Sequence, residues 1–257
     1  MLSMPVDLAQ TIANVRDRVS AACTAASRDP EDVRLLLATK TQGADLVRRA
    51  VEAAEGLGLC TTGAQARVVV GENRVQELTA KAPELADLGL EVHLIGPLQS
   101  NKVNHALRAL AQHGSACVES VDSLDLARRL SARVLDGASA GPLDVLVQVN
   151  VSGEMTKSGV APEAASELAA GVGGLEGLRL RGFMTIGANT PDRRLIRAGY
   201  ETLRYLRDTV CASGDAGTAG ATDLSMGMSG DLEEAVLAGA TIVRVGTAVF
   251  GPRPPLM

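Results

Sequence analysis

The sequence predicts a single (β/α)8 barrel. Eight apolar runs of strand length alternate with stretches of helical spacing across 257 residues, about the length typical of that fold. Strict strand–helix alternation implies a parallel sheet with right-handed crossovers. No Pro/Gly/Ser-rich linker divides two cores, so residues 1–257 read as one domain. A doubly wound open sheet shares the alternation and is the alternative.

In chain order, the amphipathic segment Val6–Ala26 precedes the first strand and is a candidate for closing the barrel bottom. The expected strands are Val33–Thr39, Arg67–Gly71, Val92–Gly96, Cys117–Val121, Leu143–Val149, Leu178–Ile186, Asp223–Met228 and Ile242–Val249. Helices are expected at Ala44–Glu55, Asn101–Gln112, Ser123–Leu135, Pro162–Gly171, Arg193–Ala212 and Gly230–Ala238, where apolar residues recur at three- and four-residue steps. Ala138–Pro142 and Ser213–Ala221 read as exposed loops. Gly56–Ala66 is longer than a tight connection requires and carries no evident role.

Composition narrows the function. A net charge of −5, with no dense Lys/Arg run and 2 % aromatics, argues against a nucleic-acid surface, which needs phosphate neutralisation or stacking platforms. Cys23, Cys60, Cys117 and Cys211 stand far apart with no C-x-x-C pair, as expected of reduced thiols in a cytoplasmic protein. His93, His105 and His113 form no metal-ligand pattern, so no metal is expected. The N-terminus lacks the basic and apolar regions of an export signal, and no apolar run reaches membrane-spanning length, so a membrane association is not expected.

In such a barrel the chemistry gathers at the C-terminal ends of the strands. The first strand, Leu-Leu-Leu-Ala-Thr-Lys, delivers Lys40 there. A lysine walled by apolar residues has a lowered pKa and becomes an amine nucleophile able to form a Schiff base with an aldehyde; a lysine marking the strand's exit into solvent is the plainer alternative. Asn73 and Gln99 follow the second and third strands, either as ligand donors or as caps of the helices that follow. The fifth strand ends in a glycine-containing loop carrying Lys157, and the sixth in Met184-Thr185.

The last two strand ends offer a phosphate site of the kind barrels build from those loops. Ser225 and Ser229 flank Met226-Gly227, and Gly246-Thr247 adds backbone N–H groups and a hydroxyl. Ser229 as a plain helix cap is the rival reading. Asp231, Glu233 and Glu234 would repel an anion and must therefore point away from it. Arg244 lies two residues before Gly246, on the same face of the final strand, and an arginine inside a strand buried on both faces demands a partner. Opposite a heteroaromatic nitrogen it would act as a donor and disfavour protonation there.

Seven ordered motifs then resemble a known family. They are Ala-Thr-Lys-Thr at 38–41, Gly-Glu-Asn-Arg-Val-Gln-Glu at 71–77, His-Leu-Ile-Gly-Pro-Leu-Gln-Ser-Asn-Lys at 93–102, Val-Asn-Val-Ser-Gly-Glu-Met-Thr-Lys-Ser-Gly at 149–159, Leu-Arg-Gly-Phe-Met-Thr-Ile at 180–186, Leu-Ser-Met-Gly-Met-Ser at 224–229 and Val-Arg-Val-Gly-Thr-Ala-Val-Phe-Gly at 243–251. Over nearly the whole chain the sequence resembles the vitamin B6 (pyridoxal phosphate) homeostasis proteins, the proline-synthase-co-transcribed barrels. The resemblance implies pyridoxal 5′-phosphate held as a Schiff base on Lys40. It also implies a phosphate held by Ser225, Ser229, Gly246 and Thr247 and a ring nitrogen facing Arg244, with Asn73, Met226 and Gly227 among the cofactor-binding residues. Lys157 matches a lysine linked to a second, transient contact. The barrel of alanine racemases has a similar Arg-x-Gly at the end of its last strand. The chain departs from the family pattern at Thr39 and Gln42, at Val70, at Gly230, and by an insertion around 56–66.

A ring nitrogen facing arginine is a poor electron sink, and related racemases compensate with a tyrosine base and a second domain. Tyr200 and Tyr205 are the tyrosines here, both in the expected helix after the sixth strand, and the sequence ends at Met257 without room for that domain. The expectation is a protein that stores, buffers or delivers pyridoxal phosphate to apo enzymes, as a monomer or weak dimer. The alternatives are an enzyme such as an amino-acid racemase, and a phosphate-binding barrel without aldehyde chemistry.

Overall fold

A computed structural model describes residues 6–139 and 141–252. Eight parallel strands form a closed barrel: β1 Arg34–Ala38, β2 Val68–Glu72, β3 Glu91–Leu94, β4 Ser115–Val121, β5 Leu143–Gln148, β6 Leu178–Met184, β7 Asp223–Met228 and β8 Ile242–Val245. Closure is explicit where β8 returns to β1 with Leu36 opposite Arg244, which rules out the open sheet. The residue Ala140, within one expected loop, lies outside the described residues.

Seven helices follow β1 to β7: α2 Ala44–Gly56, α3 Val75–Leu85, α4 Val103–Leu110, α5 Leu124–Arg133, α6 Pro162–Gly173, α7 Arg193–Cys211 and α8 Leu232–Ala238. Helix α3 is absent from the sequence expectation because Pro83 and a polar stretch obscure its stripe of Val75, Leu78, Ala82 and Leu85. The leading helix, α1 Leu8–Ala25, does not close the barrel bottom. Near its start Thr11 bonds the Val249 carbonyl, and just past its end Arg28 bonds the carbonyls of Val236 and Ala240. It therefore runs down the flank and fills the eighth place in the outer ring. The last strand is shorter than expected: Gly246, at φ −121° and ψ −70°, leaves the extended region, and Thr247–Phe250 form a short helix, α9.

Outward-facing strand residues such as Leu35, Leu37, Val70, Val92, Val145 and Val243 pack under the helices in one large apolar core. Inside the barrel the packing differs. Two small apolar groups, Leu36–Val69–Ile242 and Cys117–Leu146–Met184, leave room for charged residues between them. The segment 56–66 belongs to the barrel bottom: Thr62 bridges Leu90 ahead of β3, and the Arg67 and Val68 amides donate to the Cys60 carbonyl. It lies at the opposite end from the strand termini that carry Lys40 and Arg244. Among the described residues, no helix is long and apolar enough to cross a membrane, and no cluster of His, Cys, Asp or Glu is placed to hold a metal ion.

Candidate functional site

A cavity of about 320 Å³ opens at the C-terminal ends of the strands, and Lys40, Asn73, Ser229, Arg244, Gly246 and Thr247 line it together with the apolar Ile95, Ile186 and Met228. A second cavity, about 400 Å³, sits at the opposite mouth. Its charges are matched among themselves, with Arg34 on Glu91 at 2.6 Å, Arg179 on Asp144 at 2.5 Å and Arg181 near Asp223 at 3.6 Å. The first cavity is the chemical one, because a primary amine, a guanidinium and hydroxyls converge there.

The backbone on both sides of Lys40 is held. Thr39 is fully buried; its amide donates to the Gly71 carbonyl at 2.9 Å, its carbonyl accepts from Lys81 Nζ at 2.9 Å, and its hydroxyl bonds Glu72. Glu72 and Lys81 form a buried ion pair behind it. Burial pushes the Glu72 carboxyl upward, with the Lys81 charge opposing. On the other side Thr41 occupies the left-handed region at φ +67°, which a β-branched residue adopts only at a cost. The Glu77 carboxylate accepts its amide at 2.7 Å and holds that turn. Lys40, half-buried, leaves β1 from this clamped segment.

Arg244 is 5 % exposed and has partners on two sides. It donates to Ser225 Oγ at 2.9 Å and to the Thr185 carbonyl at 2.6 Å. Ser225 Oγ in turn donates to Glu119 Oε2 at 2.6 Å; Glu119 bonds His93 Nδ1 at 2.6 Å, and His93 Nε2 bonds Glu91 at 2.8 Å. With Arg34 on Glu91, an alternating series of charges runs from the barrel bottom to the cavity. Burial disfavours a charged imidazole, but the bonds and charges of Glu119 and Glu91 outweigh it and push the His93 pKa up to about 9. Both ring nitrogens then donate at neutral pH. Burial also opposes ionisation of Glu119 and Glu91; His93 holds Glu119 below the ordinary range, aided by Arg244, and His93 with Arg34 brings Glu91 to about 2.

This series gives a pH dependence. The His93 pKa lies above the ordinary value of 6.5, so its contribution to stability is complete below 6.5 and is lost as pH rises through about 9. Glu91 works in the opposite direction: depressed from 4.5 to about 2, its contribution is complete above 4.5 and is lost as pH falls through about 2. The difference in Tm between the protein and its His93→Gln variant should therefore be largest near pH 6 and shrink as pH passes 9. A difference that stays constant or grows over that range would contradict the assignment of charge to His93.

The structure brings Lys40, Asn73, Ser229, Arg244, Gly246 and Thr247 to one cavity. Ser225, Met226, Gly227 and Lys157 are not among its lining residues. Ser225 faces the barrel interior, its hydroxyl proton directed to Glu119. Met226 points outward into the core under the helices. Gly227, at φ +88°, sits where the β7–β8 register slips by one residue, and a Cβ there would strike Ala235. Lys157 is tied at the rim to Glu154 at 2.6 Å and the Gly187 carbonyl at 2.8 Å. Ser229 Oγ accepts from the Ala248 amide at 3.2 Å, joining the two loops beside the cavity. The acids around the start of α8 are all engaged elsewhere: Asp231 with Tyr200 and the Met228 amide, Glu233 with Arg18, and Glu234 with Arg197.

Sequence reasoning missed Glu119 and the role of His93. The signal was present, since both are titratable residues with apolar neighbours in their strands, Val92 and Leu94 around His93 and Val118 before Glu119, much as for Arg244.

Comparison with known proteins gives a consistent picture. Residues 11–254 match the family model for the alanine racemase N-terminal domain. A pyridoxal phosphate homeostasis protein of Pseudomonas aeruginosa is 45 % identical over 246 residues, covering 96 % of each chain. The Escherichia coli protein of the same name is 41 % identical over 251 residues, covering 96 % of this chain and 97 % of its own. The structure of PipY from Synechococcus elongatus with pyridoxal phosphate bound superposes with a TM-score of 0.76 at 30 % identity, covering 95 % of this chain and all of PipY. An alanine racemase of Clostridium difficile shares the fold at a TM-score of 0.66 and 16 % identity, over 99 % of this chain and 60 % of the racemase.

Proposed function

The chain belongs to the alanine racemase N-terminal-domain family and, within it, to the pyridoxal phosphate homeostasis proteins; on that premise we propose that it binds pyridoxal 5′-phosphate in the C-terminal cavity and stores, buffers or delivers it to apo enzymes in the cytoplasm, as a monomer or weak dimer. The carrying observation is that Lys40 and Arg244, at opposite ends of the sequence, lie at the ends of paired strands and line one cavity.

The cofactor supplies an aldehyde that condenses with a primary amine with loss of water, together with a pyridine nitrogen and a phosphate. The donor set fits these three groups. Lys40 presents the amine from a clamped backbone. Arg244 presents a donor suited to an unprotonated ring nitrogen. Ser229, Gly246 and Thr247, which line the cavity together, are assigned to the phosphate. Asn73 stands beside them. Ser225, Met226 and Gly227 shape the β7 end that carries Ser229, and Lys157 is assigned the second, transient contact at the rim.

A carrier is favoured over an enzyme by the state of the tyrosines. Tyr200 is buried, donates to Asp231 at 2.8 Å and has its phenol pushed far up by burial and by that carboxylate. Tyr205 is exposed on α7. Neither lines the cavity. The loaded protein, incubated with each proteinogenic amino acid in deuterated water, should show no α-proton exchange or change of chirality, and it should restore activity to an apo form of a pyridoxal-phosphate enzyme. Turnover of any amino acid would replace this reading with the racemase-like one.

A further inference from the structure

We propose that Glu119, bridged by Ser225 and backed by His93, is the positioning residue that holds the Arg244 guanidinium in place to recognise the cofactor's ring nitrogen. This rests on the reading that pyridoxal phosphate occupies the Lys40 cavity.

An arginine at the floor of a barrel is a long side chain, and its guanidinium selects a small acceptor only when its orientation is locked. Here the lock is built from residues on or just after four strands. Ser225 on β7 accepts from Arg244 Nη1 at 2.9 Å, and Thr185, following β6, accepts from Nη2 at 2.6 Å. The serine hydroxyl has one proton, and Glu119 on β4 takes it at 2.6 Å, so the oxygen can only act as acceptor toward the arginine. Glu119 is fully buried, and an unpaired carboxylate is not tolerated there. His93 on β3, bonded at 2.6 Å, keeps it in place. Each partner is itself fixed by the next, an arrangement that serves a recognition group better than it serves stability, because apolar residues of similar volume would fill the same layer at no greater cost.

The one-residue slip at Gly227 shapes the same strand end. It separates Ser225, which faces the interior, from Met228, which faces the cavity, so that a single strand supplies both the arginine's support and the cavity wall.

The test uses two probes, pyridoxal phosphate and its deaza analogue in which the ring nitrogen is replaced by CH. Both keep the aldehyde and the phosphate. The intact protein should prefer pyridoxal phosphate by about tenfold or more, the range of a charge-assisted hydrogen bond. In Glu119→Gln that preference should fall several-fold toward equality. In Ser225→Ala, which retains both charges, it should fall as well. Ser225→Ala also decides the matter if Glu119→Gln does not fold. Equal weakening of both probes, with the preference intact, would reduce Glu119 to a structural role and overturn the proposal. Binding of neither probe to the intact protein would instead overturn the cofactor reading itself, and this proposal with it.

Discussion

Replacing Lys40 by alanine is expected to weaken retention of pyridoxal phosphate by roughly a hundredfold or more, about 2.7 kcal/mol, and to abolish the visible absorbance that arises when the cofactor is linked to a lysine. The remaining contacts through Ser229, Gly246, Thr247 and Arg244 would hold the phosphate and ring only as a reversible ligand. Folding should be unaffected, because Lys40 is half-buried and its neighbours are held through their backbones and by Glu72, Lys81 and Glu77. Equilibrium titration and an absorbance spectrum of each protein decide it. The companion Lys157→Ala should keep the absorbance. A Lys40→Ala protein with unchanged affinity and spectrum would remove the covalent assignment.

The second large effect is on stability. Arg244→Leu takes from the fully buried Glu119 carboxylate one of the two cations near it, leaving His93 alone, and strips the Thr185 carbonyl and Ser225 of a donor. Breaking one member of a buried charged network costs about 3–5 kcal/mol, and for a domain of this size each kcal/mol moves Tm by about 2–4 °C. A fall in Tm of about 10 °C is therefore expected at neutral pH. The double variant Arg244→Leu/Glu119→Leu should recover part of that loss, since the buried carboxylate that Arg244 helps to neutralise is then gone while His93 keeps Glu91. A Tm within about 2 °C of the parent for Arg244→Leu would show that the alternating charges are not energetically coupled as described.

Much of this was legible in the sequence, for identifiable reasons. Strands buried on both faces read as continuous apolar runs, so the barrel's eight strands could be found to within a few residues, and a charge inside such a run pointed to Arg244. The end of β8 was overestimated because Ala-Val-Phe after Gly-Thr is as apolar as the strand, and only the backbone at Gly246 reveals the turn. Helix α3 is hard to read in the sequence because Pro83 lies within it and its apolar stripe is narrow. The position of α1 depended on long-range bonds from Thr11 and Arg28 that no local pattern encodes.

At the site, the strand-end rule brought together Lys40, Asn73, Ser229, Arg244, Gly246 and Thr247. It could not tell that Ser225 hands its hydroxyl proton to Glu119, since an alternating pattern gives the face but not the partner. That partner, Glu119, comes from a strand about a hundred residues earlier and meets Ser225 only because the barrel closes.

The central claim, that pyridoxal phosphate is carried on Lys40 in the cavity floored by Arg244, is tested most directly by chemical capture. The protein is incubated with pyridoxal phosphate, reduced with borohydride to convert the carbon–nitrogen double bond into a stable secondary amine, digested, and its modified lysine located by mass spectrometry. One modified site, Lys40, at near-stoichiometric yield is the result predicted. Modification centred on Lys157 or another lysine, or no modification, would contradict it.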